Sequence, residues 1–219
     1  MINIKDRPYI TEALLGIMIL VYLVMSVTGG TNNPYNLIRF GAKVNPLIIQ
    51  GQYWRFVTPI FIHLNFTHIL FNGITFYYLG VQIERLFGHL RFLIIFMISG
   101  IAGNMFSFAF NTSISVGASG AIFGLLGAFM MIGEIAWRNP AIRQMTKLFV
   151  IFILLNLVSD FLTVGIDISG HIGGLIAGFL CAYIVGLPHR LDHNSIKGAV
   201  AAVTLIIVLG IILYRGFNA

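Results

Sequence analysis

Long apolar runs, broken at short intervals by charged, Pro, Gly or Asn residues, set the pattern of this chain. A helix rises about 1.5 Å per residue, so roughly 20 apolar residues cross a hydrocarbon core of about 30 Å. Seven stretches approach that length: residues 10–28, 66–83, 90–110, 117–137, 148–164, 168–187 and 199–214. Short joints separate them, among them 84–89, 138–147 and 188–197. The pattern predicts an all-α fold, a polytopic membrane helical bundle of seven spans, without a soluble domain, a low-complexity tract or an internal repeat. One interval departs from the rhythm. Residues 29–65 mix Pro34, Pro46 and Pro59 with Tyr35, Phe40, Tyr53, Trp54 and Phe56. A Pro-broken, aromatic-rich segment of this kind suits short interfacial helices partly sunk among the headgroups, and an ordinary aromatic belt accounts for it equally well.

Composition points the same way. Of 219 residues 58% are apolar and only 9% charged, which excludes a water-soluble domain with a polar surface. The first span follows Lys5 and Arg7, as a signal peptide would, but runs into Thr28-Gly29-Gly30-Thr31 without a small-residue cleavage site and is read as a retained anchor. Alternate joints divide the cations unequally. One face holds Lys5, Arg7, Arg85, Arg91, Arg138, Arg143, Lys147, Arg190 and Lys197, the other Arg39, Lys43, Arg55 and Arg215. The richer face is cytoplasmic by the positive-inside rule, which puts the N-terminus inside, the C-terminus outside and the protein in a membrane such as the cell membrane. The net charge of +6 is thus spread along one membrane face rather than gathered into a nucleic-acid-binding patch. The single cysteine, Cys181, lies inside the sixth span with no disulfide partner.

Ionisable and strongly polar side chains inside a bilayer cost several kcal/mol, so those within spans are the first candidates for function. They are His68, Asn72, Ser119, Glu134, Asn156, Asp160 and His171. Spans two, four and six all begin at the outer face and run inward. His68, Ser119 and His171 stand near the starts of these spans and therefore share one depth, about a turn below the surface. His68 and Asn72 are four apart and project from one helical face, a pair that taken alone is more often interhelical glue. Ser119, in Gly117-Ala118-Ser119-Gly120, opens a helix whose first N–H groups lack intrahelical partners and lie at its positive end. On its own that motif reads as packing. His171 shifts the balance, because Gly174 and Gly178 share its face and Gly120, Gly124 and Gly127 offer a matching small surface on the fourth span. Close approach of these two helices is what a Ser–His hydrogen bond requires.

Taken together these residues resemble the rhomboid family, from the first outer loop through the sixth span. Trp54-Arg55 is similar to its Trp-Arg pair, His68 and Asn72 to its His and Asn four apart, and Gly80, Glu84 and Gly88 to its Gly-xxx-Glu-xxx-Gly pattern. Gly117, Ser119, Gly120 and Gly124 fit its Gly-x-Ser-Gly-xxx-Gly, and His171, Gly174 and Gly178 its His-xx-Gly-xxx-Gly. The resemblance implies a six-helix catalytic core over residues 1–187, with the long outer loop 29–65, and an added loop and seventh helix over 188–219. It implies a serine endopeptidase that cleaves transmembrane protein substrates near the outer face. Ser119 is then the nucleophile and His171 the base, with His68 and Asn72 joining the Ser119 N–H as oxyanion donors. Phe123, where the family often has Tyr, packs on the histidine. Neither a metal nor an organic cofactor is needed. The family works with a Ser–His dyad, so Asp160 and Asp167 are given no orienting role. Glu84 pairs with Arg85 or accepts hydrogen bonds at the inner boundary, and Glu134 is an inner-boundary charge. Substrate enters from the lipid between spans two and five, with 163–168 moving as a cap. The partners are substrates and the bilayer, and the oligomeric state is open. A catalytically inactive relative that binds membrane-protein clients, and less readily a transporter, are the competing classes. The retained Ser and His argue against the first, and polar residues gathered at one face against the second.

Overall fold

A computed structural model of the chain describes residues 7–163, 165–188 and 195–218. Lys5, Arg190, most of the joint 188–197 and position 164 of the fifth span and the proposed cap lie outside the described residues. Among the described residues the chain is helical, with one isolated antiparallel bridge between Lys43 and Ser115. The long helices are α1 (Tyr9–Thr28), α4 (Phe66–Phe87), α5 (His89–Phe110), α6 (Ser119–Ile135), α7 (Pro140–Leu162), α8 (Ile168–Val185) and α9 (Ser195–Phe217). Two short ones, α2 (Pro34–Phe40) and α3 (Asn45–Ile49), fall in the outer loop, followed by 3-10 turns at Tyr53–Phe56 and Thr58–Phe61. α1, α5, α7, α8 and α9 are long and apolar enough to cross a membrane, so the chain is a multi-pass membrane bundle.

Two joints are shorter than the hydropathy pattern predicts. The interval 138–147 is mostly helix, because the Asn139 side chain accepts the N–H groups of Ala141 and Ile142 while Pro140 occupies a first-turn position that needs no donor. Arg143 and Lys147 therefore extend α7 beyond its apolar stretch. Between α4 and α5 only Gly88 remains, at φ 79°, a backbone region that glycine enters without a steric cost.

α5, α6 and α8 form the centre of the bundle, where Ala102, Ala121, Ala128, Ala177 and Ala182 are buried beside Ile95, Phe96 and Leu125. Small side chains let these helices approach, and dispersion between them replaces the hydrophobic drive that lipid cannot supply. α9 packs on α5 and α8 through Leu205, against Ala102 and Ala177, and Ile212, against Phe106 and Ala109. α7 is peripheral: 17% of its apolar window is buried, against 67% for α5. α7 meets α6 where Phe149 stands edge-on to Phe129.

Polar contacts fasten the two ends. At one end the buried Glu84 carboxylate accepts the N–H groups of Ile10 (3.1 Å) and Thr11 (2.8 Å) and the Thr11 hydroxyl (2.5 Å), and lies 2.6 Å from His89 Nδ1. Its partners are thus on α1 and α5 rather than Arg85, and Gly80 makes room for Thr11. Glu134 is more than a boundary charge, accepting from the Tyr183 hydroxyl (2.5 Å) and Lys197 Nζ (2.9 Å). At the other end the loop 29–65 is stitched to the connection between α5 and α6. Buried Arg55 donates to the carbonyls of Ile38 (3.0 Å) and Ala42 (2.8 Å) and to Gln52. Fully buried Lys43 donates to the carbonyls of Asn111 (2.6 Å) and Ser113 (2.9 Å), and Gly117 N–H reaches the Pro59 carbonyl at 2.9 Å.

Burial lowers the Lys43 pKa to about 8, from 10.5 when unfolded. Between those values the unfolded chain binds the extra proton, so the contribution of Lys43 to stability rises with pH across this window. Thermal melts of the purified protein and of Lys43→Met, taken on either side of that window, should show the parent gaining on the variant as pH rises; a constant gap would mean that Lys43 keeps its proton when folded.

Candidate active site

Gly117 shapes the approach to α6. Its φ of 125° is one that L side chains rarely adopt, and a Cβ there would stand 2.9 Å from the His68 imidazole. Two residues later Ser119 opens the helix. α4, α7 and α8 begin under the side chains of Asn65, Asn139 and Asp167, whereas α6 begins after Ala118 with no side-chain cap. The first N–H of that turn with a backbone acceptor is that of Ile122, to the Ala118 carbonyl. The N–H groups of Ser119, Gly120 and Ala121 have no acceptor among the described residues and carry the positive end of the helix dipole.

His171 stands in the first turn of α8. Its Nε2 lies 2.7 Å from Ser119 Oγ, and its Nδ1 2.6 Å from Asp160 Oδ2. Phe123, one turn along α6 from Ser119, stacks on the imidazole with ring centroids 4.4 Å apart and planes 7° from parallel. The Ser–His distance follows from the backbones beneath it. A Cβ on Gly174 would collide with the Gly120 carbonyl, one on Gly178 with the Gly124 carbonyl, and one on Gly127 with the Leu175 carbonyl. Three successive levels of α6 and α8 therefore touch main chain to main chain.

Ser119, His171, His68 and Asn72 line one cavity of about 420 Å³. The Asn72 amide donates to the His68 carbonyl at 2.9 Å, within α4, and His68 Nδ1 accepts the Leu64 N–H at 3.4 Å. Phe71 of α4 and Phe152 and Asn156 of α7 also line the cavity. Trp54 is exposed and Arg55 buried in the outer loop, and neither lines the cavity; Glu84 lies at the opposite end of α4. Gly117 and Gly120 line it, while Gly174 and Gly178 lie below it in the helix contact.

Two residues join the site beyond those to which the sequence assigned a role. Asp160, given no role there, meets His171 because the break after Leu162 turns the last turn of α7 over the first turn of α8. Its presence as a charge within a span was the only signal, since spacing of 11 residues across a chain reversal says nothing of contact. Asp167, the nearer residue in sequence, caps α8 instead: it accepts the Gly170 N–H (3.2 Å) and the hydroxyls of Ser169 and Ser107. Burial alone would raise its pKa, but these bonds and those of Ser115 and Asn111 hold it below the usual carboxylate value. His63, buried and edge-on to His68 with centroids 5.1 Å apart, is the second; burial, then its neighbour, pushes its pKa down to about 3, so it is neutral. A serine hydrogen-bonded to an imidazole beside uncapped helix donors is suited to acyl transfer.

A model of the Rhomboid domain matches residues 50–188. The chain is 38% identical over 215 residues to "Rhomboid protease GluP" of Bacillus subtilis (strain 168), an alignment covering 98% of this chain and 42% of that protein. It is 41% identical over 164 residues to "Rhomboid-like protease 1" of Toxoplasma gondii, covering 73% and 55%. Against "Rhomboid protease AarA" of Providencia stuartii it is 32% identical over 227 residues, covering 91% and 80%. The chain spans about half the length of the first two of these relatives.

Gly174→Ala puts a methyl into the Gly120 carbonyl, and overpacking of this kind costs about 1–3 kcal/mol. Thermal unfolding in detergent should show that loss, with Gly16→Ala, whose Cβ meets nothing within 4 Å, melting like the parent. Equal melting of the two variants would mean that α6 and α8 do not touch as described.

Proposed function

The chain belongs to the rhomboid family, and from that membership we propose that it is an intramembrane serine endopeptidase cutting transmembrane segments of other proteins near the outer membrane face. The observation that carries the reading is the 2.7 Å contact between Ser119 Oγ and His171 Nε2 in a cavity at one end of a membrane bundle. Ser119 Oγ attacks the scissile carbonyl as His171 Nε2 takes its proton. The oxyanion that forms is met by the uncapped N–H groups at the start of α6, with His68 and Asn72 as further donors. Collapse expels the amine, which takes the proton from His171, and a water molecule then releases the acyl group by the same route.

Seven helices cross the membrane in this reading, with residues 1–187 as the six-helix core and 188–219 as the added loop and helix. α4 and α6 complete the set of spans: α6 is apolar but 17 residues long, and α4 carries Gln82, Glu84 and Arg85 in its last turns. The N-terminus faces the cytoplasm of a cell-membrane protein, and the C-terminus the outside. Of the cations assigned to the outer face, Lys43, Arg55 and Arg215 donate to backbone carbonyls, which supports leaving them on the side poorer in free positive charge. Substrate enters between α4 and α7, the helix with the least buried apolar face, and the segment 163–168, with Gly165 at φ 94°, moves as its cap. The Ser–His contact disfavours an inactive client-binding relative, and the gathering of polar groups at one end disfavours a transporter.

Purified protein in liposomes with a single-span protein substrate should produce a cut in or near the span. Ser119→Ala and His171→Ala should abolish it, and Asn72→Ala should lower turnover about a hundredfold, the usual cost of one oxyanion donor. Cleavage that survives Ser119→Ala would overturn the assignment of the nucleophile.

A further inference from the structure

The resemblance implies a dyad, yet the His171 ring has two nitrogens and both are engaged. For Nε2 to accept the Ser119 proton, Nδ1 must carry its own, and a buried N–H of this kind needs an acceptor. Among the described residues that acceptor is Asp160 Oδ2, at 2.6 Å. Both side chains are nearly closed to surroundings, 7% exposed for Asp160 and 10% for His171. The carboxylate makes no other hydrogen bond among the described residues, whereas Asp167 is occupied by Ser107, Ser169 and the Gly170 N–H. Phe123 fixes the plane of the ring, and Asp160 fixes its rotation within that plane.

We infer that Asp160 is a positioning residue that makes this site a Ser119–His171–Asp160 triad, holding His171 in the tautomer with its proton on Nδ1 and stabilising the imidazolium that forms during acyl transfer. The inference rests on the hydrolase reading above. The chemistry is that of a soluble triad, in which the acid stays ionised and orients the base without taking its proton. The orienting acid comes from α7, the peripheral helix. A displacement of α7 large enough to part Asp160 from His171 therefore removes the orientation of the base, so catalysis is favoured when α7 has closed again.

The test is the saturation kinetics of a fluorophosphonate probe, in which Ser119 Oγ bonds to phosphorus, fluoride leaves, and the serine proton passes to His171. The limiting labelling rate reads the activation of Ser119, and the half-saturating concentration reads access and binding. Asp160→Asn, close in shape but uncharged, should lower the limiting rate about thirtyfold or more, short of the ~10⁴ that this change costs a soluble triad. The half-saturating concentration should stay within about twofold, and the melting temperature near that of the parent. Where Asp160→Asn does not fold, Asp160→Ser is expected to give the same loss of limiting rate. A limiting rate equal to that of the parent, or a change confined to the half-saturating concentration, overturns the inference and leaves Asp160 a tether for α7. A folded parent that does not label at all, like Ser119→Ala, overturns the hydrolase reading and the triad with it.

Discussion

The Gly120 carbonyl lies where a side chain on Gly174 would begin, and the Gly124 carbonyl where one on Gly178 would begin. In lipid there is little hydrophobic gain from pressing two helices together, so contact depends on how closely their backbones come. Here they come as close as main chain allows, and the first turns of α6 and α8 above that contact have little freedom of separation. Ser119 and His171 occupy those turns. Their hydrogen bond is thus set by the packing beneath it and does not need to hold the helices together. α5 closes the same unit from behind, where a Cβ on Gly103 would meet the Gly170 carbonyl at 2.7 Å.

Around this rigid centre the polar groups divide into two sets. Lys43, Arg55, Asn45 and Asn104 bond backbone carbonyls and fix the outer loop over the α5–α6 connection, so that Gly117 and Ser119 are delivered at a defined point. His68, Asn72, Asp160 and His171 face the cavity instead. The first set is bonded within the protein, chiefly to main chain. The second keeps capacity for a reacting group, and its exposed boundary is α7, the helix least buried in the bundle. Under the proposed function, close packing lies where the chemistry is set and the little-buried α7 where substrate would enter, a division that follows from where the small residues and the large apolar ones lie.

Much of this was legible along the chain, for reasons that differ by element. The apolar runs mark the long helices because every backbone donor in lipid must be met within its own segment. His171, Gly174 and Gly178 share a face by helical periodicity alone, as do Gly120, Gly124 and Gly127 with small drift. The joint 138–147 misled because charge at a helix end resembles a loop, while the deciding feature was the Asn139 cap ahead of Pro140. Asp160 and His63 were hidden for another reason. Each reaches its partner across a chain reversal or a turn, and the geometry of such reversals depends on contacts remote in sequence, here the Asp167 cap and the bonds of the outer loop.

The central claim, that packing of α6 on α8 leaves one activated serine in the bundle, is tested most directly by mapping where a fluorophosphonate attaches. Peptide mass spectrometry of the labelled, folded protein should find a single phosphonyl group, on Ser119. Folded protein that carries no adduct, or an adduct on another serine with Ser119 unmodified, would contradict it.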